Sequence, residues 1–345
     1  MGEAAQPSMW SSSLVLDISR RKWSDELLAF GGIRADQLPD LFLSGATIGH
    51  VSSACAGETG LSAKTAVVTG GLDHTCAGVA ADNLEDGVVT VSTGSVLALL
   101  TTVREPIFDR ATPVPCHIHA VPGRYCLLPW NQTGGLAFKW FKDRFAEEVG
   151  ATAGADVPSI YDALAAEAAN VPPGSDGMVM RPHLEGALFP EFDPNARGVF
   201  FGFSLTHTRA HFVRALLEAM AFMIRRDLEG LKRLGVAARE LRVLGGGAKS
   251  LLGSQIKADI CGILVVVPAQ QEAAVLGAAI LAAVGARLYP DIKAAVRGMT
   301  SWGEEVRPNP AHRAVYDRAY KLYIALYDAV KALHPECGEI SRMVR

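Results

Sequence analysis

The sequence predicts an α/β protein, and three observations carry that prediction. From Thr65 onward, apolar β-branched runs, glycine turns and segments of helical period alternate. The order strand, glycine turn, helix occurs twice, in VVTGGLDHTCAGVA (67–80) and in LRVLGGGAKSLLGSQIKADICG (241–262). Finally, 345 residues with 49% hydrophobic but only 7% aromatic side chains leave ample Ala, Val and Leu for a large core.

Taken in order, residues 1–64 hold a strand-like SSSLVLDI, a helix in WSDELLAF and then loop-rich sequence, too little to bury a core alone. They read as the tail of a domain whose beginning is absent. Val67–Val68 reads as a buried strand closed by Gly70 and Gly71, which puts Asp73 at a strand mouth. There the carboxyl ends of strands and the amide-rich starts of helices open into one crevice. Asp73 is read there either as a ligand-facing acid or as a helix cap. Val88–Val91 and Val96–Leu100 flank STGS as a hairpin whose turn can offer amides and hydroxyls to an anion. A second hairpin turns at Pro122-Gly123 in PCHIHAVPGRYCLLPW. Helices follow in GGLAFKWFKDRFAEEV and SIYDALAAEAANV, and PPGSDG marks a loop before MVMRPHL. The longest helix is predicted over Thr208 to Leu234, with Phe212, Leu216, Ala219, Phe222, Met223 and Leu231 on its core face. Then come LRVL, GGGAKS, the helix LLGSQIKADICG, the strand LVVVP and the helix EAAVLGAAILAAVGA. The last helix aligns Tyr316, Tyr320, Tyr323 and Tyr327 in one stripe, read as packing with no chemistry.

Several function classes are excluded by this sequence. A net charge of -3 from 33 basic and 36 acidic residues gives no field of one sign, so neither nucleic acid nor an anionic membrane is expected as a partner. The longest apolar window, Glu272 to Gly285, is too short to span a bilayer, and MGEAAQPSMW has no signal-peptide regions, so a cytoplasmic location is expected. The six cysteines form no CxxC pair, and the spacing of Cys116, His117, His119 and Cys126 matches no usual zinc pattern. His207 and His211 stand four apart in HTRAH without the acid a metalloprotease needs. GGGAKS is not a Walker loop, because Ala248 stands where glycine must precede the lysine, and GxGxxG is absent at the strand ends. Three glycines still let a flat ring or a phosphate approach the backbone.

In order and spacing, GGLDHTCAG, VSTGSV, DPNARGVFFGFSLTHTRAHFVRALLEAMAF, GGGAKSLLGSQIKADICG and EAAVLGAAILA resemble the FGGY family of carbohydrate kinases, xylulokinase-like members above all. The resemblance spans about Ser11 to Leu333. It implies an actin-like, ribonuclease H-like ATPase fold, with 1–64 the remnant of the amino-terminal domain, 65–333 the complete nucleotide-binding second domain and 334–345 a tail. It further implies ATP and magnesium as cosubstrates and transfer of the γ-phosphoryl group to a hydroxyl of a small sugar or polyol, a xylulose-like ketose being favoured.

Residue by residue, the resemblance makes Asp73 the general base on the sugar hydroxyl, beside Gly71 and His74; His74 is read either as touching substrate or as filling the turn. Gly94 and Ser95 stand at the family's second phosphate loop. Gly135, Lys139, Gly245, Gly246, Gly247 and Ser250 match places where relatives touch the nucleotide, with Asp259 as a further position on what reads as a solvated helix surface. No metal ligand is assigned.

The sequence also departs from the family. No Asp-x-Gly-Thr phosphate loop occurs in it, and Gly186, Ala187 and Leu188 stand where Gly-Glu-Arg is usual. The expectation from these departures is a chain that self-associates, a homodimer being one form, and that shows no robust sugar phosphorylation by itself. A catalytically silent sugar- or nucleotide-binding protein is the alternative, and sugar-dependent ATP consumption separates the two.

Overall fold

The computed structural model describes residues 4–146, 159–270 and 272–343. Its centre is an eight-stranded mixed sheet. Val88–Thr93 and Leu97–Val103 form an antiparallel hairpin, continued by Tyr125–Leu127 and then Cys116–Ile118, while Trp130–Asn131 pairs with the start of Leu97–Val103. On the other side of Val88–Thr93, Glu240–Leu244 and Leu264–Pro268 add in parallel, and Trp302–Val306 closes the edge antiparallel.

Period-two alternation divides the core into two layers. Val89, Val91, Leu97, Leu99, Leu241 and Val243 face the long helix Arg209–Arg233 and its neighbours Gly135–Phe145, Ile160–Ala169, Leu251–Cys261 and Arg313–Val330. Helices Asp73–Ala80, Ala273–Gly285 and Ile292–Met299 share a second core, and Gly78 of the first lies against Leu100 on the opposite face of the hairpin. The elements read from the sequence fall where the periodicity puts them; 147–149, the end of the GGLAFKWFKDRFAEEV helix, lie outside the described residues. Tyr316, Tyr320 and Tyr323 are buried against Phe222, so that stripe is packing.

One element differs from expectation. The strand Ala66–Val68 before Asp73 is only half-covered and lies outside the main sheet, paired antiparallel with Thr47–His50. A short Ala-Val-Val run carries no local sign of how many strands flank it. The amino-terminal segment is docked on the sheet edge: Leu16 and Ile18 pack with Val103, Ile118 and Leu127, and the Ile118 amide donates to Ser11 Oγ at 3.0 Å. Within the tail, residues 334–343 form a short helix, His334–Met343.

Candidate active site

Three glycine-bearing turns meet around the tip of the central hairpin. The Gly94–Val96 turn joins the two hairpin strands and leaves Gly94 and Ser95 exposed, with open space where a Gly94 side chain would stand. The helix Gly135–Phe145 begins directly on it: Gly134 and Leu136 donate their amides to the Ser95 carbonyl (2.9 and 3.3 Å) and Gly135 donates to Gly94 O (2.8 Å). Both glycines are needed for this docking, since a Cβ on Gly134 would lie 2.3 Å from the Val96 carbonyl carbon and one on Gly135 2.6 Å from Gly94 O. The amide of Gly135 is therefore already bonded to the neighbouring turn.

The third turn, Gly245–Gly247, uses each glycine differently. Gly245 has φ +76°, a left-handed conformation, and Gly247 lies against Thr93, where a Cβ would come within 2.6 Å of Thr93 Oγ1. Gly246 is exposed, with nothing within 4 Å of an added Cβ. Only one of the three thus leaves the turn uncovered, and the other two serve backbone shape and close packing. Thr93 Oγ1 is itself buried without a hydrogen-bond partner among the described residues. Ser250 caps the Leu251–Cys261 helix by accepting the Gly253 amide at 3.1 Å.

One nucleotide-side reading is corrected in kind. Asp259 is no solvated surface acid: it is buried, accepts from the Asn309 amide and Gln255 Nε2 at 2.7 Å each, and meets His312 Nδ1 at 2.7 Å. Its carboxylate is occupied in holding the 309–312 turn. Lys139 lies on an exposed helix face and pairs with Asp143 four residues on.

Asp73 opens the helix Asp73–Ala80 as its first residue; Leu72 holds the cap position and offers no side-chain cap bond. Asp73 is exposed, and among the described residues its Oδ1 accepts only the His74 amide, at 2.7 Å. Gly70 has open space on its Cβ side, whereas a Cβ on Gly71 would meet Ala120, Cys76 and Thr75 at 3.1 Å, so Gly71 has a packing reason. Among the described residues no hydrogen bond or ion pair joins Asp73 to the three turns. His117, buried on Cys116–Ile118, is held below the usual histidine range by burial and by the imidazole of His74. Among the described residues no three His, Cys, Asp or Glu side chains are grouped to hold a metal ion. His211 serves the long helix instead, accepting the Thr208 amide at Nδ1 (3.1 Å) and meeting Asp176 at Nε2 (3.1 Å).

Sequence reasoning passed over two features of this region. Asn131 and Thr133, just before Gly134, receive the amides of Leu188 (3.2 Å) and Glu185 (3.4 Å), so the segment that departs from Gly-Glu-Arg is tied to the start of the crevice. Lys257 is buried beneath the Gly245–Gly247 turn. The signal for it was present: Gly253, Ile256, Lys257 and Ile260 follow the spacing of one buried helix face.

This arrangement has recognisable counterparts. Profiles of the FGGY family of carbohydrate kinases match residues 88–286 for its C-terminal domain and 4–80 for its N-terminal domain. The chain is 28% identical over 322 residues to a xylulose kinase of Staphylococcus epidermidis, covering 93% of this chain and 63% of that protein. It is 32% identical over 328 residues to an autoinducer-2 kinase of Yersinia enterocolitica, covering 94% of this chain and 62% of that protein. It therefore spans somewhat less than two thirds of the length of these relatives. Among solved structures, the xylulose kinase of Rhodospirillum rubrum superposes with a TM-score of 0.81 at 29% identity, over 93% of this chain and 63% of that one. A ligand-bound xylulose kinase of Lactobacillus acidophilus reaches 0.87 at 22% identity, over 96% and 66%, a likeness of fold. The fold is the actin-like, ribonuclease H-like ATPase fold; the central hairpin, its parallel neighbour Glu240–Leu244 and the antiparallel Trp130–Asn131 lead into the three turns. With the carboxyl-domain profile covering 88–286, the stretch that contains all three glycine turns, the chain belongs to the FGGY family of carbohydrate kinases.

Proposed function

We propose that this chain serves ATP-dependent phosphoryl transfer to a hydroxyl of a small sugar or polyol, with a xylulose-like ketose favoured. The observation that carries the reading is the convergence of three glycine turns on Thr93–Val96, which leaves backbone uncovered at Gly94 and Gly246. Uncovered backbone is what a phosphate chain or a flat nucleoside requires for close approach. The names of the relatives, xylulose kinase and autoinducer-2 kinase, point to a small polyhydroxylated acceptor. Six free cysteines accord with a cytoplasmic setting.

In the proposed reaction Asp73 accepts the proton of the acceptor hydroxyl. Its exposed carboxylate is free to do so, since one backbone amide is its sole hydrogen-bond donor among the described residues. The alkoxide-like oxygen then bonds to the γ-phosphorus as the bond to the β–γ bridging oxygen breaks, and ADP leaves with that electron pair. The transition state is loose and charge-dispersed, so alignment and charge stabilisation decide the rate. Magnesium is expected to accompany ATP; the described side chains build no metal centre, and no step is derived through it.

The test is a coupled ADP-release assay over ketopentoses, polyols and sugar acids. Asp73→Asn is expected to lower sugar-dependent turnover by on the order of 10²- to 10⁴-fold while leaving ADP affinity within about twofold. A variant that keeps its turnover removes Asp73 from the chemistry. Sugar and nucleotide binding with no ADP release in the wild type would favour the binding-protein alternative.

A further inference from the structure

Beneath the Gly245–Gly247 turn lies a buried cation with no anionic partner among the described residues. Lys257 donates from Nζ to Gly247 O at 3.1 Å and to Gly253 O at 3.3 Å. Two acceptors thus hold an ammonium that carries three protons. Gly253 is the residue whose amide Ser250 caps, so Lys257 fastens the last glycine of the turn to the first turn of the following helix. Gly247 in turn is packed on Thr93 without room for a Cβ, so its position sets that of the hairpin tip.

We propose that Lys257 is the positioning residue of the nucleotide turn: its buried ammonium fixes Gly247 on Thr93 and presents to the crevice a positive charge that a nucleotide's phosphates complete. The inference rests on the nucleotide reading of the glycine turns. Leaving an ammonium buried with only carbonyl dipoles for company is unfavourable, and an arriving polyphosphate relieves that cost. Burial pushes the lysine down to about 8 from its ordinary 10.5, so the cation is present at neutral pH and lost just above it.

The groups around it leave that titration alone in its range. Cys261, one turn further on, is the one group that acts on the ammonium among the described residues, and burial pushes its thiol up to about 12. Arg225 and Asp227 of the long helix, with Arg313 of the last long helix, act on that thiol. Asp259 is turned to the 309–312 turn, and Lys249 in the turn itself is exposed. Phosphate groups lose their last proton near about pH 6, below the window.

Two opposite signs follow. The folded chain holds fewer protons on Lys257 than the unfolded one between about pH 8 and 10.5, so the stability of the ligand-free protein gains from this group as pH rises through that window. ADP affinity falls over the same range, because binding uses the protonated form. A merely structural lysine would make affinity follow stability.

The experiment is calorimetric titration of the full chain with ADP between pH 7.5 and 9.5, alongside thermal melting. Wild-type affinity is expected to fall on the order of tenfold across that range. Lys257→Met should bind ADP weakly at pH 7.5, show a flat profile and melt no lower than the wild type. Lys257→Arg should restore binding and remove the fall, because a guanidinium does not titrate there. A flat wild-type profile, which needs no variant to fold, overturns the proposal, as does a Lys257→Met that keeps both wild-type affinity and profile. A wild type that binds no ADP at pH 7.5 overturns the nucleotide reading itself, and this inference with it.

Discussion

Gly277 lies directly against the backbone of Cys76: a Cβ built on Gly277 would stand 1.8 Å from the Cys76 carbonyl oxygen and 2.4 Å from its carbon. This contact lets the Ala273–Gly285 helix press on the helix that begins with Asp73, and so fixes the direction in which Asp73 leaves the sheet. Gly277→Ala must push the two helices apart, since the obstacle is backbone on both sides. The expected loss of stability is about 3 kcal/mol. Urea unfolding measures it, and a midpoint equal to that of the wild type would show that the helices already stand further apart.

The glycines of the crevice separate into two kinds, and substitution distinguishes them. Gly246→Val meets open space, so folding stability should stay within about 1 kcal/mol of the wild type while ADP affinity drops. Gly134→Ala, by contrast, drives a methyl into the Val96 carbonyl and should lower stability by about 2 to 4 kcal/mol. Parallel urea unfolding and ADP titration of the two variants check this. Equal destabilisation by both would mean that Gly246 is packed.

Much of this was legible in the chain, and what escaped has a common cause. Alternation in VVTVSTGSVLALL and the apolar stripe of the long helix located the sheet and its main cover, because both are encoded within a few residues. The three turns were legible from their glycines, but the division of labour in GGG was not: Gly247 is small because of Thr93, 154 positions away in the chain. Asp259 read as solvated because its partners, Asn309 and His312, lie about fifty residues on. Ala66–Val68 read as buried for want of any local record of its single neighbour. Local period fixes which face a residue occupies; only the assembled sheet determines what meets it.

The buried polar cluster that joins the long helix to the last one offers a third prediction. Glu218 accepts from Arg214 Nε at 2.8 Å, from the Gly174 amide at 3.0 Å, from Ser175 Oγ at 2.9 Å and from Tyr316 at 3.1 Å. Among the described residues, Glu218→Ala leaves the Arg214 guanidinium in the interior with only Tyr316 and a distant carbonyl. The expected cost is about 3 to 5 kcal/mol, more than a surface pair of the same geometry could cost. Calorimetric melting of the variant decides it, a shift of only a degree or two being the result that would deny the pair its role.

Acid should destabilise the protein through its buried histidines, His119 among them. His119 lies beside Gly78 with Nδ1 accepting the Val121 amide at 3.0 Å and Nε2 buried without a partner among the described residues. Burial pushes it down to about 3 from the ordinary 6.5. Protonation would put a hydrogen on the very nitrogen that accepts from Val121 and a charge where no acceptor waits. The folded value lies below the unfolded one, so the unfolded chain takes up the proton first as pH falls. This group's contribution is complete above about 6.5 and is lost as pH drops toward 3, by about 1.4 kcal/mol for each unit in between. His117, lowered by the same burial and by His74, adds in the same direction. Urea unfolding at pH 7 and pH 5 measures the slope. His119→Gln, which cannot titrate, should lose less stability between those two values than the wild type does, and an equal loss would mean that the acid sensitivity arises elsewhere.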